Sequence, residues 1–170
     1  MSGVLTRWNR LGVEDAAKEI LPCCGSRTWA HGMAERRPIV DEAELLAAGN
    51  EVWNRLPEAD WLEAFRSHPR IGESRGPAKA TARLAAWSGE EQRSVKTADK
   101  EIKLGLAEGN RAYEDRFHRT FIVCATGKSP EEMLEILRRR LRNGDAAELR
   151  EAAEQQRQIV QLRLKKWLGS

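Results

Sequence analysis

Phe121-Ile122-Val123-Cys124-Ala125 is the short apolar run on which the fold class turns. Five such residues, bounded by Gly127, suit a strand, a buried extended segment or the end of a helix. Periodicity alone does not choose among these. The flanks are clearer. On the N-terminal side, residues 99–119 carry one long helical pattern. On the C-terminal side, Ser129 and Glu132 are spaced as a capping box ahead of Met133, Leu134, Leu137 and Leu141, and Asn143-Gly144 stops that helix. Asp145 and Glu148 repeat the box and open a last helix that continues to Leu168.

Further out the pattern holds. Helices are expected over residues 13–23, 27–35, 41–54 and 57–66, with Asp41 and Glu44 as another capping box. Pro77 begins a helix that ends near Trp87, and Ser88-Gly89-Glu90-Glu91-Gln92 opens a short new one. No repeat, low-complexity segment or linker divides the chain. The expectation is an all-α protein: residues 1–170 as a single compact domain of roughly eight or nine helices.

The chain has 170 residues, 41% of them hydrophobic, enough for an ordinary buried core. Its net charge of +3 is small beside 55 charged side chains. That balance suits small acidic molecules better than nucleic acid, which calls for a concentrated basic face. The Arg138-Arg139-Arg140 run lacks interleaved aromatics and reads as a solvated helix face. Cys23, Cys24 and Cys124 show no disulfide framework or metal spacing and read as small, buried, reduced thiols. The first residues lack the apolar run of a signal peptide, and no stretch approaches the length of a membrane span. A cytoplasmic protein with no nucleic-acid or membrane partner is expected.

Ser67-His68-Pro69-Arg70-Ile71-Gly72-Glu73 is the stretch richest in chemistry. Pro69 disfavours helical backbone at the preceding residue, so the helix before it stops near His68. The ring is then held at a helix end, with Arg66, Arg70 and Arg75 close in sequence. A group that titrates near neutrality beside fixed positive charge suits binding and protonating a small anion. The plainer alternative is a histidine whose ring closes the helix on its last carbonyls.

Two other places carry the same duality. Ser88 and Glu91 are a capping box that requires no function, yet with Gln92 they gather polar groups at a helix start whose amides attract anions. Arg163 falls at the edge of, or inside, the stripe of Leu149, Ala153, Ile159, Val160, Leu164 and Trp167. It either snorkels to water, the simpler expectation, or grips a carboxylate. Gly127-Lys128-Ser129 is no phosphate loop, since the required upstream glycine is replaced by Ile122. His31 and His118 lack metal-compatible partners, so no metal site is expected.

Taken together and in this order, these features resemble the 2-oxo-4-hydroxy-4-carboxy-5-ureidoimidazoline (OHCU) decarboxylases. The matching segments are Met33 with Arg37-Pro38, His68-Pro69-Arg70-Ile71-Gly72, and Ser88 through Gln92. They continue with Asn110, Tyr113 and Phe117, the Phe121 to Ala125 run, and Gln161-Leu162-Arg163-Leu164. The resemblance implies an all-helical, cofactor-free, homodimeric enzyme that completes the conversion of urate to (S)-allantoin. Its substrate is a small anionic ureidoimidazoline. By position, it makes His68 the essential histidine, usually cast as the proton donor, with Glu91 hydrogen-bonding the substrate beside it. Ser88 and Gln92 would line the same wall. Pro69 and the backbone of Phe121, Ile122, Val123, Cys124 and Ala125 would contact the ring, and Arg163 would hold an anionic or carbonyl edge. One departure is visible: relatives often follow the residue matching Phe117 with glycine, whereas His118-Arg119-Thr120 intervene here before Phe121. The competing readings are a non-catalytic helical interaction module and a weak nucleic-acid binder.

Overall fold

The computed structural model describes residues 2–73 and 82–170. Among them are nine α-helices, two short 3-10 helices and no strand. The Phe121 to Ala125 run is therefore neither strand nor helix end; it is irregular, and all five residues are buried. The chain divides into two compact units, Met1–Ala64 with Arg157–Ser170, and Phe65–Gln156. Among the described residues, no helix is long and apolar enough to cross a membrane.

The first unit contains α1 (Gly3–Trp8), α2 (Val13–Ile20), α3 (Arg27–Glu35), α4 (Glu42–Asn54), nearly all of α5 (Glu58–Phe65) and the C-terminal part of α9 (Asp145–Leu168). Helix α1 lies outside the sequence expectation, although Ser2 caps it by accepting from the Leu5 N–H. Helix α2 ends at Ile20 rather than Cys23, and a 3-10 turn, Leu21–Cys23, takes over. The cause is Pro22, which has no N–H to continue the i→i−4 ladder. Asp41 caps α4, but the second arm of that box differs: Glu44 reaches the amide of Val40 instead of Asp41. Trp8, Trp29, Trp53 and Trp167 fill the core, with Trp8 edge-on to Trp167 at 5.4 Å. Buried indoles need an acceptor, and Trp8 and Trp29 donate to the Ala16 and Gly49 carbonyls. Arg37 from the resemblance is structural here, since its guanidinium binds the carbonyls of Trp8, Leu11 and Ala34.

The second unit holds α6 (Ala82–Glu91), the 3-10 helix Arg93–Thr97, α7 (Lys100–Phe117), α8 (Pro130–Arg140) and the start of α9. Helices α7 and α8 pack closely because Gly105 and Gly109, one turn apart, present no side chain to Leu134 and Leu137. A Cβ on Gly109 would lie 2.5 Å from Leu137 Cδ2. Ile71, Leu106, Tyr113, Phe117, Phe121 and Met133 complete this core. The Ser129–Glu132 capping box of α8 forms with both arms.

Four expectations for this unit are corrected. Helix α6 does not stop at Trp87 but runs through Ser88 and Gly89 to Glu91, and the Gln92 N–H continues the ladder to the Ser88 carbonyl. Ser88 and Glu91 therefore stand in the last turns of a helix, whose dipole end disfavours anions, and form no capping box. The expected start of that helix at Pro77 lies outside the described residues, as do Arg75 and Gly76. Helix α7 closes at Phe117 because His118 turns left-handed, with φ 56°. Asp145 and Glu148 do not box α9: Asp145 is already helical and meets Arg119, while Glu148 is buried against Arg140. Arg140 consequently leaves the solvated face assigned to its run, with no exposed surface, because Glu148 neutralises it. Arg138 is exposed, and Arg139 pairs with Glu151.

Candidate active site

The His68 stretch is shaped first by its own backbone. Helix α5 gives out at Phe65, and the His68 N–H bonds back to the Phe65 carbonyl at 3.2 Å. Glycine at 72 permits φ 93°, which closes a turn through the Glu73 N–H and the Arg70 carbonyl. Three contacts then fix the loop on its surroundings. The Arg70 guanidinium forks onto Glu114 at 2.6 and 2.7 Å, Asn110 Nδ2 donates to the Ile71 carbonyl at 2.8 Å, and the Gly72 N–H donates to Gln92 Oε1 at 3.0 Å. Asn110 and Glu114 lie one turn apart on α7, so a single helix face holds two of the three.

Arg70 also pairs with Glu73, and the two carboxylates push its pKa up from the usual arginine value. Its charge is thereby matched inside the protein, contrary to the expectation that it is offered to an anion. Arg66 is exposed.

Beside this loop is a cavity of about 670 Å³. Ser67 and Pro69, the two neighbours of His68, line it together with Gly72, Leu84, Ser88 and Gln92. Leu84, Ser88 and Gln92 follow at intervals of four, which puts them on one face running along α6 and just past its end. Val95 adds an apolar patch, and Arg93, Lys96 and Lys103 bring exposed positive charge to the lining, alongside Glu73 and Glu90. Half-buried Glu91 stands between Glu90 and Gln92 but is absent from the lining residues.

His68 is half-buried, and its Nε2 lies 2.5 Å from Oε1 of Gln156, a residue of α9 with no exposed surface. Sequence reading missed Gln156, because a glutamine 88 residues away leaves no local signal. The Phe121 to Ala125 run is buried on the same unit and tied down along its backbone. The Ile122 carbonyl accepts from Arg140 Nη1, the Cys124 N–H donates to Gln155 Oε1, and the Cys124 carbonyl accepts from Lys128 Nζ. Gln155 and Gln156 thus hold two segments of the expected site from consecutive positions on one helix.

Arg163 belongs to the other unit, where it is fully buried, so the snorkelling expectation is overturned. Its positive charge acts on Cys24, though burial dominates and pushes that thiol well above the ordinary cysteine range. All three cysteines are buried and none is in a disulfide. Among the described residues, no three His, Cys, Asp or Glu side chains cluster closely enough to hold a metal ion.

Comparison with known proteins adds an independent line. The sequence matches the family model described as OHCU decarboxylase over residues 9–165. It is 32% identical over 156 residues to a uric acid degradation bifunctional protein TTL of Arabidopsis thaliana, covering 92% of this chain and 48% of that one. The chain therefore spans about half the length of that plant relative. A 2-oxo-4-hydroxy-4-carboxy-5-ureidoimidazoline decarboxylase of Amia calva is 32% identical over 147 residues, covering 86% and 80% of the two chains. Among solved structures, the chain superposes on an OHCU decarboxylase crystallised in the presence of (S)-allantoin with a TM-score of 0.75 and 32% identity. That match covers 89% of this chain and 98% of the other.

Proposed function

Because the chain belongs to the OHCU decarboxylase family, we propose that it is a cofactor-independent carboxy-lyase converting 2-oxo-4-hydroxy-4-carboxy-5-ureidoimidazoline to (S)-allantoin in urate degradation. One observation carries the reading. Residues distant in sequence, Ser67 and Pro69 on one side and Ser88 and Gln92 on the other, line a single cavity beside the loop that carries His68, although His68 itself is not among the lining residues. Its volume falls in the range of about 300–1,000 Å³ typical of small-molecule clefts. The family match runs through both compact units without interruption, which supports reading residues 1–170 as one functional domain.

The chemistry suits this equipment. Breaking the bond between ring carbon and carboxylate releases carbon dioxide and leaves an electron pair, a step that usually demands a cofactor as electron sink. Here the unsaturated, carbonyl-bearing ring of the substrate takes up that pair as an enolate-like anion. The protein has three tasks: to turn the carboxylate out of the ring plane, to stabilise the developing charge, and to deliver one proton to one face. His68 as imidazolium stabilises the anion and then protonates it, and Glu91 grips the substrate hydroxyl or orients the ring. Ser88, Gln92 and Pro69 line the cleft. By resemblance alone, the Phe121 to Ala125 backbone contacts the substrate ring and Arg163 holds an anionic or carbonyl edge. Delivery from a fixed face yields one enantiomer, where the spontaneous reaction yields a racemate.

The test is direct. Purified protein given freshly made substrate should accelerate formation of optically active allantoin. His68→Ala should lower turnover by about a hundredfold or more with helical content intact. Undiminished turnover in that variant sinks the role given to His68. The reading also takes the protein to be cytoplasmic and homodimeric, and sedimentation equilibrium at micromolar concentration decides the latter.

A further inference from the structure

His68 and Gln156 are joined by a bond whose direction has chemical consequences. Gln156 Oε1 carries no proton, so at 2.5 Å the ring nitrogen facing it must be the donor. A neutral imidazole has one N–H only. If Nε2 holds it, the neutral ring is the Nε2–H tautomer, and the proton that comes and goes does so at Nδ1.

We propose that Gln156 is a positioning residue for His68, fixing the imidazole as the Nε2–H tautomer and so making Nδ1 the atom that gives up the proton. The proposal rests on the reading of His68 as proton donor and adds to it the atom and the residue that selects it. Three features support it. Gln156 is completely buried, so water does not compete for its oxygen. It belongs to the 24-residue helix α9, a rigid mount compared with the loop that carries His68. Its neighbour Gln155 anchors the Cys124 amide from the same turn, so the helix registers the ring against the Phe121 to Ala125 backbone. An amide suits the task better than a carboxylate. It offers a dipole that orients the ring without a full charge that would hold the second proton in place.

The experiment uses the full chain labelled with [15N]histidine. Only His31, His68 and His118 contribute, and His68→Ala identifies the resonance in question. Wild-type protein is expected to show His68 as the Nε2–H tautomer above its titration point. In Gln156→Leu, which keeps volume but removes the acceptor, the tautomers should mix. Turnover should then fall by about tenfold or more with KM altered less than about twofold. Gln156→Glu restores an acceptor and should restore the single tautomer, while its charge holds the second proton and keeps turnover below wild type. A purely structural glutamine would lower Tm and leave both tautomer and turnover unmoved. An Nδ1–H tautomer in the wild type overturns the proposal, as does Gln156→Leu turnover within twofold of wild type. If Gln156→Leu fails to fold, the wild-type tautomer and Gln156→Glu still decide. Full activity in His68→Ala would instead overturn the proton-donor role, while the tautomer measurement would still judge the Gln156 bond separately.

Discussion

Arg140 sends both Nε and Nη2 to one carboxylate oxygen of Glu148, 2.8 and 2.5 Å away, and neither side chain has any exposed surface. The Tyr113 hydroxyl donates to that same oxygen at 2.6 Å, and Asn143 Nδ2 to the other at 2.9 Å. Burial, then the Glu148 contact, pushes the Tyr113 pKa above its ordinary value, so the phenol stays protonated and keeps donating. The remaining Arg140 arm binds the Ile122 carbonyl. This cluster is where the core of the second unit meets the backbone of the proposed site.

A buried pair adds little net stability over well-packed apolar residues, but breaking it strands a charge away from water. Glu148→Gln leaves Arg140 without its counter-charge. The expected cost is about 3–5 kcal/mol, which for a chain of this size lowers Tm by about 10 °C or more. Arg140→Met combined with Glu148→Leu should cost clearly less than the two single changes summed. Thermal melts of Glu148→Gln, of the two single changes and of their combination check this, and additive losses would contradict the pair as described.

Two glycines inside helices should respond in opposite directions to the same change. Gly89 lies within α6, and an added Cβ meets nothing within 4 Å. Gly89→Ala should therefore gain helix propensity and stabilise by roughly 0.5–1 kcal/mol. On α7, Gly109→Ala gains the same propensity but drives a Cβ into Leu137, which is fully buried and has no room to withdraw. Overpacking costs about 1–3 kcal/mol, so the net effect is destabilising. Urea denaturation at equal m-values reads both. A destabilised Gly89→Ala would mean that the α6 helix does not continue through that position.

The error in reading α6 shows what local signals do and do not carry. The helix Arg27–Glu35 and the Ser129–Glu132 box were legible because caps and periodicity act over a few residues. Ser-x-x-Glu has the same spelling at a helix start and near a helix end, so the pattern does not place Ser88 and Glu91, of which only Ser88 lines the cavity. The pattern places Arg140 on a solvated face and leaves Arg163 between water and a carboxylate, because burial of a charge depends on distant surroundings, such as Glu148 supplies for Arg140. The cavity beside the His68 loop, the Gln156 contact and the Glu114 carboxylate on Arg70 are likewise tertiary, set by α6, α9 and α7, which no window around His68 contains.

His118 occupies the left-handed position that ends α7, at φ 56° and ψ 32°, with its side chain exposed. Left-handed backbone crowds the Cβ of an L-residue against the following carbonyl, and glycine escapes that penalty. Histidine at this position thus carries a conformational cost that glycine would avoid. His118→Gly should stabilise by about 1 kcal/mol, raising Tm by roughly 2–4 °C. A lower Tm would show that the imidazole makes a stabilising interaction that outweighs the strain.

Gln92 offers the cleanest separation of folding from substrate recognition. A backbone N–H can only donate, so the Gly72 contact fixes Oε1 as the side-chain atom facing the loop. The amide nitrogen, with its two donors, is then left for other partners in the cavity that Gln92 lines. Gln92→Glu keeps an acceptor for Gly72 and loses both donors, while adding a negative charge near an anionic substrate. Stability should change by less than about 1 kcal/mol, since the loop contact survives. KM for the ureidoimidazoline should rise by about tenfold or more, from one lost hydrogen bond together with repulsion. Gln92→Leu, which removes the acceptor as well, should weaken binding similarly and also loosen the Gly72 turn, seen as faster amide exchange at Gly72. Unchanged KM in both variants would remove Gln92 from the substrate wall.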